Sequence, residues 1–204
     1  MRDPRFAKFV LLINGAVPLT ILAWDAYWGQ LGPNPTNDAI HITGVMAIIF
    51  ISLTLAITPA RKITGWNWLS HFRRMLGLFA FFYALVHLSL YFAFQRSFSL
   101  IGVIQDTEKR PFIFFGMTAL VLMIPLVITS TNGMINRMGA KKWKRLHQLV
   151  YLVAISAAIH FWMNGKVVGP GQKIFAGVVA ALLGYRIINW QSAGTRKARA
   201  SAGA

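Results

Sequence analysis

The chain has 204 residues, 56% of them hydrophobic and 13% charged, whereas a soluble domain carries about 25% charged residues. Its 21 Lys and Arg against five acids give a formal net charge of +16. These basic residues fall in short clusters between long apolar runs, so they do not form the single basic face that nucleic-acid binding needs. Cysteine is absent, which excludes disulfides, iron–sulfur clusters, zinc-thiolate sites and covalent c-type haem attachment. Neither G-x-x-x-x-G-K-[ST] nor a strand-borne G-x-G-x-x-G is present.

A hydrocarbon core about 30 Å thick takes roughly 17–25 apolar residues as helix. Six such runs predict an all-α membrane helix bundle: Phe9–Trp28, His41–Ile57, Met75–Phe94, Pro111–Thr129, Leu146–Trp162 and Lys173–Trp190. Arg2, Arg5 and Lys8 precede the first run as in a signal peptide, but its length and the lack of an A-x-A site point to a retained helix. Pro18 and Pro125 are kinks that a helix in lipid tolerates. Counted by segment, sixteen basic residues fall on one side and five on the other, so the positive-inside rule places both termini in the cytoplasm. Residues 1–190 read as one domain. Residues 191–204, with Arg196, Lys197 and Arg199, read as a disordered basic tail drawn to anionic lipid headgroups. Ala176, Ala180 and Gly184 read as a row of small residues for close helix packing, and Trp66, Trp68, Trp143 and Trp162 as aromatic-belt anchors.

Ionisable residues within a bilayer are functional candidates by default. His87 lies twelve residues into the third run, about 18 Å from its cytoplasmic end at 1.5 Å per residue. His160 closes the fifth run near the outer face. The two share a depth on different helices, the arrangement needed to ligate a haem from both sides. Small Ala and Ser beside bulky apolar residues leave room for a flat macrocycle. The alternative for each is a hydrogen-bonded packing or proton-relay group. Zinc is disfavoured because a structural site takes four ligands.

His147 is thirteen residues before His160, about 20 Å lower. On an ideal helix the two point about 140° apart, so they face one seam only if the helix is bent or locally unwound. His147 reads either as an interfacial His beside the basic cluster or as a ligand of an inner haem. An inner haem needs a partner on the third run, yet the positions thirteen and fourteen before His87 are Arg74 and Arg73. Either His71 supplies a ligand from one turn lower, or an Arg pairs with a haem propionate or a flavin phosphate. His41 is a quinone hydrogen-bond site or an ordinary helix-start residue. The basic loop 137–145 is a topology signal or a surface for an acidic cytosolic donor.

The stretches IHITG, LTLAITPA, RRMLGL, ALVHLSLY, ITSTN and KRLHQLVYLVAISAAIH, spread over about residues 10–190, resemble the MsrQ (YedZ) family within the ferric reductase-like transmembrane superfamily. The resemblance implies a b-type haem subunit of the bacterial inner membrane, with one haem or two, and with FMN as a further cofactor. It implies electrons from the quinone pool or a cytosolic flavin reductase. They pass to MsrP, a periplasmic molybdopterin enzyme that reduces methionine sulfoxide in oxidised proteins. His87, His147 and His160 match the family's haem-associated histidines, and His41 falls in its IHITG-like stretch. The missing His before His87 departs from two-haem ferric reductases. The competing readings are a self-sufficient ferric or quinone reductase, and a small transporter using the histidines as proton relays.

Overall fold

A computed structural model describes the backbone of residues 4–165 and 168–202, and the side chains of 5–165 and 168–192. The described residues form helices α1 (Pro4–Tyr27), α2 (Pro35–Thr64), α3 (Arg73–Leu90), α4 (Leu100–Lys109), α5 (Pro111–Ile128), α6 (Asn132–Met138), α7 (Ala140–Leu146), α8 (Leu149–Met163) and α9 (Pro170–Ala202). A 3-10 turn over Asn67–Phe72 leads into α3, and a π-helical turn over Tyr91–Gln95 ends it. Six stretches are long and apolar enough to cross a membrane: Arg5–Tyr27, Pro35–Thr64, Asn67–Gln95, Pro111–Ile128, Ala140–Met163 and Pro170–Ser192. The six-span membrane bundle expected from hydropathy is therefore present.

Local sequence sets the helix ends. The Asn34 side chain accepts the Asn37 N–H at 3.2 Å, Pro35 occupies the first turn, and Gly65 closes α2 in the left-handed conformation at φ 74°. Arg61 and Lys62 sit in the last turn, where the helix dipole favours cations. Thirty residues make α2 about 45 Å long, so it outreaches the apolar core and its charged end lies at an interface.

The fifth span is broken. His147 caps the end of α7 and Gln148 the start of α8, and three bonds at this junction reach back only three residues: Gln148 N to Arg145 O, Val150 N to His147 O and Tyr151 N to Gln148 O. Such a turn advances about 120° per residue instead of 100°. The helix is thus overwound rather than unwound, and the angle between His147 and His160 shrinks from about 140° to about 80°.

Two antiparallel pairs, α2 with α3 and α5 with α8, form the body of the bundle. Their shared core includes Leu55, Ala80, Tyr83, Val153 and Ala154. The Tyr83 hydroxyl donates to Gly15 O at 2.7 Å and ties α1 to α3. α9 covers α8 through Phe175 and Val179. The small-residue row is not its packing face: Ala180 is exposed, and a Cβ on Gly184 would meet nothing within 4 Å. The bulky pair fills the groove instead. The sixth span also continues past Trp190, with α9 helical to Ala202, where a disordered tail was the expectation; the side chains beyond Gln191–Ser192, including Arg196, Lys197 and Arg199, lie outside the described residues.

After the π turn the chain reverses through Ser97 and Phe98, both at positive φ (46° and 61°), and enters α4, capped by the Ser99 side chain on Gly102 N. This hook is held by buried Asp106, which accepts the Tyr91 hydroxyl, pairs with Arg96 and lies 3.8 Å from Arg110 Nε. Burial pushes the Asp106 carboxyl up, but the Tyr91 hydroxyl and the Arg110 and Arg96 charges outweigh it and hold it below its usual range. A depressed carboxylate contributes stability above its unfolded value of about 4 and loses it as the pH falls through the lower folded value. Asp106→Asn is expected to lower the thermal midpoint at pH 7, with the gap to wild type closing below about pH 4. Melting curves of both proteins in detergent across that range check this.

Candidate functional site

Two cavities lie between the helix pairs, with Ile51 and Met123 lining both and so separating them. The first, about 630 Å³, sits where α2 and α5 begin and α3 and α8 end. His87 and His160 face one another across it, their ring centres 6.1 Å apart and their planes 84° apart.

Both imidazoles are held in the same way. His87 Nδ1 lies 2.7 Å from Ile40 O, and His160 Nδ1 lies 2.7 Å from Phe112 O. A carbonyl only accepts, so each Nδ1 carries the proton and each Nε2 keeps its lone pair. Each ring crosses its neighbouring helix at the glycine one turn after that carbonyl. A Cβ on Gly44 would come within 3.0 Å of His87 Cε1 and Nδ1, and a Cβ on Gly116 within 2.8 Å of His160 Nδ1. Sequence reasoning placed the histidines but missed these glycines. The available signal was a glycine inside a membrane helix, which costs about 1 kcal/mol against Ala, but Gly177 and Gly184 carry the same signal with nothing within 4 Å.

The cavity walls are apolar, with Ile48, Met117 and Leu120 among them, while Asn37, Asp38, Gln95 and Arg110 line it as well. His41 also lines it, exposed, with its ring 6.2 Å from Phe161. Among the described residues no three His, Cys, Asp or Glu come together. A metal held here by His87 and His160 must therefore bring its own remaining donors, as the metal of a tetrapyrrole does.

The second cavity, about 580 Å³, lies at the other end of the bundle and is lined by His147, Arg73 and Arg74 among others. His147 stacks on Trp143 at 3.9 Å. Its Nε2 lies 3.0 Å from the Thr129 hydroxyl, which itself donates to Pro125 O at 2.6 Å, so Nε2 is the donor and Nδ1 the free lone pair. No second imidazole lines this cavity. His71 is exposed on the 3-10 turn, bonded to Trp68 O at 2.9 Å, and is not brought to His147. Of the two routes open to an inner group, the geometry brings the arginines and not His71.

A six-span bundle with facing imidazoles on its third and fifth spans has the build of a ferric reductase-like membrane unit. In agreement, the family described as "Ferric reductase like transmembrane component" matches residues 43–158. Curated relatives that cover most of the chain, among them three described next, carry the name "Protein-methionine-sulfoxide reductase heme-binding subunit MsrQ". The one from Herminiimonas arsenicoxydans is 44% identical over 90% of this chain and 86% of its own. That from Deinococcus radiodurans is 44% identical over 84% and 85%, and that from Ralstonia nicotianae 39% over 100% and 93%. The chain belongs to the MsrQ family of ferric reductase-like membrane subunits.

Gly116→Ala is expected to destabilise the protein by about 1–3 kcal/mol, through overpacking and a strained Nδ1–H bond. Gly44→Ala, with its looser contact, is expected to cost less. Equal midpoints for both variants and wild type in thermal unfolding would contradict the close approach.

Proposed function

We propose that the chain is an electron-transfer subunit that holds a b-type haem between His87 and His160 and passes electrons to a periplasmic methionine sulfoxide reductase. The paired imidazoles carry this reading. Two metal–nitrogen bonds of about 2 Å, plus ~1.1 Å from each Nε2 to its ring centre, would put the centres about 6.2 Å apart, close to the 6.1 Å observed. The Nδ1–H bonds to Ile40 O and Phe112 O are the outer partners that metal-bound imidazoles use to fix their tautomer and raise their basicity. The names of the relatives supply the haem and the methionine sulfoxide reductase partner.

When bound, the haem supplies a one-electron carrier. The chain's own residues do the rest. His87 and His160 offer Nε2 lone pairs fixed from behind, Gly44 and Gly116 let the rings lie close to the helices, and Ile48, Met117 and Leu120 keep water from the cavity walls. The excess of basic residues on one side supports a bacterial inner-membrane orientation with both termini inside. That orientation places the histidine cavity in the periplasmic half, near an acceptor such as a molybdopterin subunit. Electrons enter from the quinone pool, with His41 lining the same cavity, or from a cytosolic flavin reductase at the basic loop 137–145. FMN and a second haem have their most suitable surroundings in the second cavity.

Protein purified from haem-replete cells is expected to show a b-type reduced-minus-oxidised spectrum that His87→Ala and His160→Ala each abolish. A colourless preparation overturns the proposal. The reduced protein is expected to reoxidise rapidly only with the periplasmic reductase and methionine sulfoxide together; fast reoxidation by ferric chelates alone would favour a self-sufficient reductase. Sidedness has a clean assay because the chain has no cysteine. In intact cells an impermeant maleimide is expected to label Glu108→Cys and spare Lys142→Cys, and the reverse pattern would invert the orientation.

A further inference from the structure

The charged residues that line the second cavity are all of one sign. Six cationic residues line it: Arg61, Lys62, Arg73, Arg74, Lys144 and Arg186. No acidic residue does. Both ion pairs among the described residues belong to Asp106, at the other end of the bundle. The cavity's cations rest on neutral oxygens instead. Arg74 donates to Asn132 Oδ1 at 2.7 Å and Lys62 to Asn189 Oδ1 at 3.1 Å.

Arg73 and Arg186 converge. Arg73 donates to the Thr58 hydroxyl at 2.7 Å, and Arg186 reaches the same oxygen at 3.1 Å from the sixth span. Arg186 also donates to Tyr151 Oη at 2.6 Å and Leu55 O at 3.2 Å, with its guanidinium 4.9 Å from the Tyr151 ring centre. Its Nε is buried with no hydrogen-bond partner. A guanidinium within a membrane span is costly, two of them on one hydroxyl repel, and a buried N–H without an acceptor adds a further penalty. An anion between them offsets the first two penalties together. The buried part of the wall, with Ile51, Met123 and Val153, is apolar. The cavity thus matches an amphipathic ligand whose anionic group sits at the charged end.

The geometry points to an anion-binding site in which Arg73 and Arg186, held by Thr58, clamp the carboxylate or phosphate of an amphipathic ligand. Arg186 lies on α9, outside the residues matched by the family at 43–158. The clamp rests on the reading of the second cavity proposed above and names the residues that act there, whatever occupies the histidine cavity. Three sources carry the required group: the propionates of a second tetrapyrrole, the phosphate of a flavin mononucleotide, and the phosphate of an anionic lipid.

The test is native mass spectrometry of the full chain in detergent, after delipidation and incubation in turn with haemin, flavin mononucleotide and phosphatidylglycerol. Wild type is expected to retain one of the three, beyond any single haem of the histidine cavity, and the added mass identifies the source. Its occupancy is expected to fall at least about tenfold in Arg73→Gln and Arg186→Gln, and to recover in part in Arg186→Lys. Size-exclusion profiles report folding; if Arg186→Gln aggregates, Arg73→Gln and Thr58→Val carry the test, since both leave the Arg186 bonds to Tyr151 and Leu55 in place. Equal occupancy in wild type and the folded clamp variants for all three probes, including none bound anywhere, overturns the proposal. The outcome at His87→Ala bears only on the haem reading and separates failure of one from failure of the other.

Discussion

Inside a bilayer no water is available to satisfy a polar group, so an imidazole placed there must find a protein acceptor for its N–H. His87 and His160 each find one in a backbone carbonyl near a helix start, Ile40 O on α2 and Phe112 O on α5. That single requirement organises the bundle. It pairs α2 with α3 and α5 with α8, demands a glycine where each ring crosses the neighbouring helix, and leaves two Nε2 lone pairs across one apolar cavity. The two halves repeat the motif, carbonyl then glycine four residues on, in sequences with little else in common.

The two ends of the bundle solve the burial of polar groups differently. At the histidine end the two facing imidazoles have their Nδ1–H groups satisfied by backbone carbonyls, and the buried carboxylate of Asp106 is surrounded by Tyr91, Arg96 and Arg110. At the other end the cations meet neutral groups, hydroxyls, amides, a carbonyl and aromatic rings, and Arg186 keeps a buried N–H unsatisfied. The first end is complete for a group that coordinates. The second is shaped for a group that carries charge. Ile51 and Met123, common to both cavities, are the apolar separation an electron would cross between two such groups.

Much of this was legible in the sequence, because span length and ligand depth follow from rise per residue alone. The six spans and the matched heights of His87 and His160 needed only hydropathy and counting. What escaped depended on lateral packing. Gly44 and Gly116 are ordinary small residues until a ring from another helix crosses them. Arg186 counts in the sequence only toward the basic charge at the end of the sixth run, yet its guanidinium turns into the bundle, where Tyr151 and Thr58 lie within reach. The row Ala176, Ala180 and Gly184 had the right spacing for packing, but Phe175 and Val179 offer more surface to α8 and decide which face of α9 turns inward. At His147 the overwound turn could not be read from composition, and the contact that fixes the ring from another span, the Thr129 hydroxyl, depends on how α5 packs beside it.

The central claim, axial ligation by His87 and His160 with their ring planes nearly perpendicular, is tested most directly by electron paramagnetic resonance of the oxidised, purified protein. The expected spectrum is a highly anisotropic low-spin ferric signal, the signature of two axial imidazoles with crossed planes, and it is lost when either histidine is replaced by Ala. A high-spin, five-coordinate signal in wild type that survives replacement of His160 would contradict it.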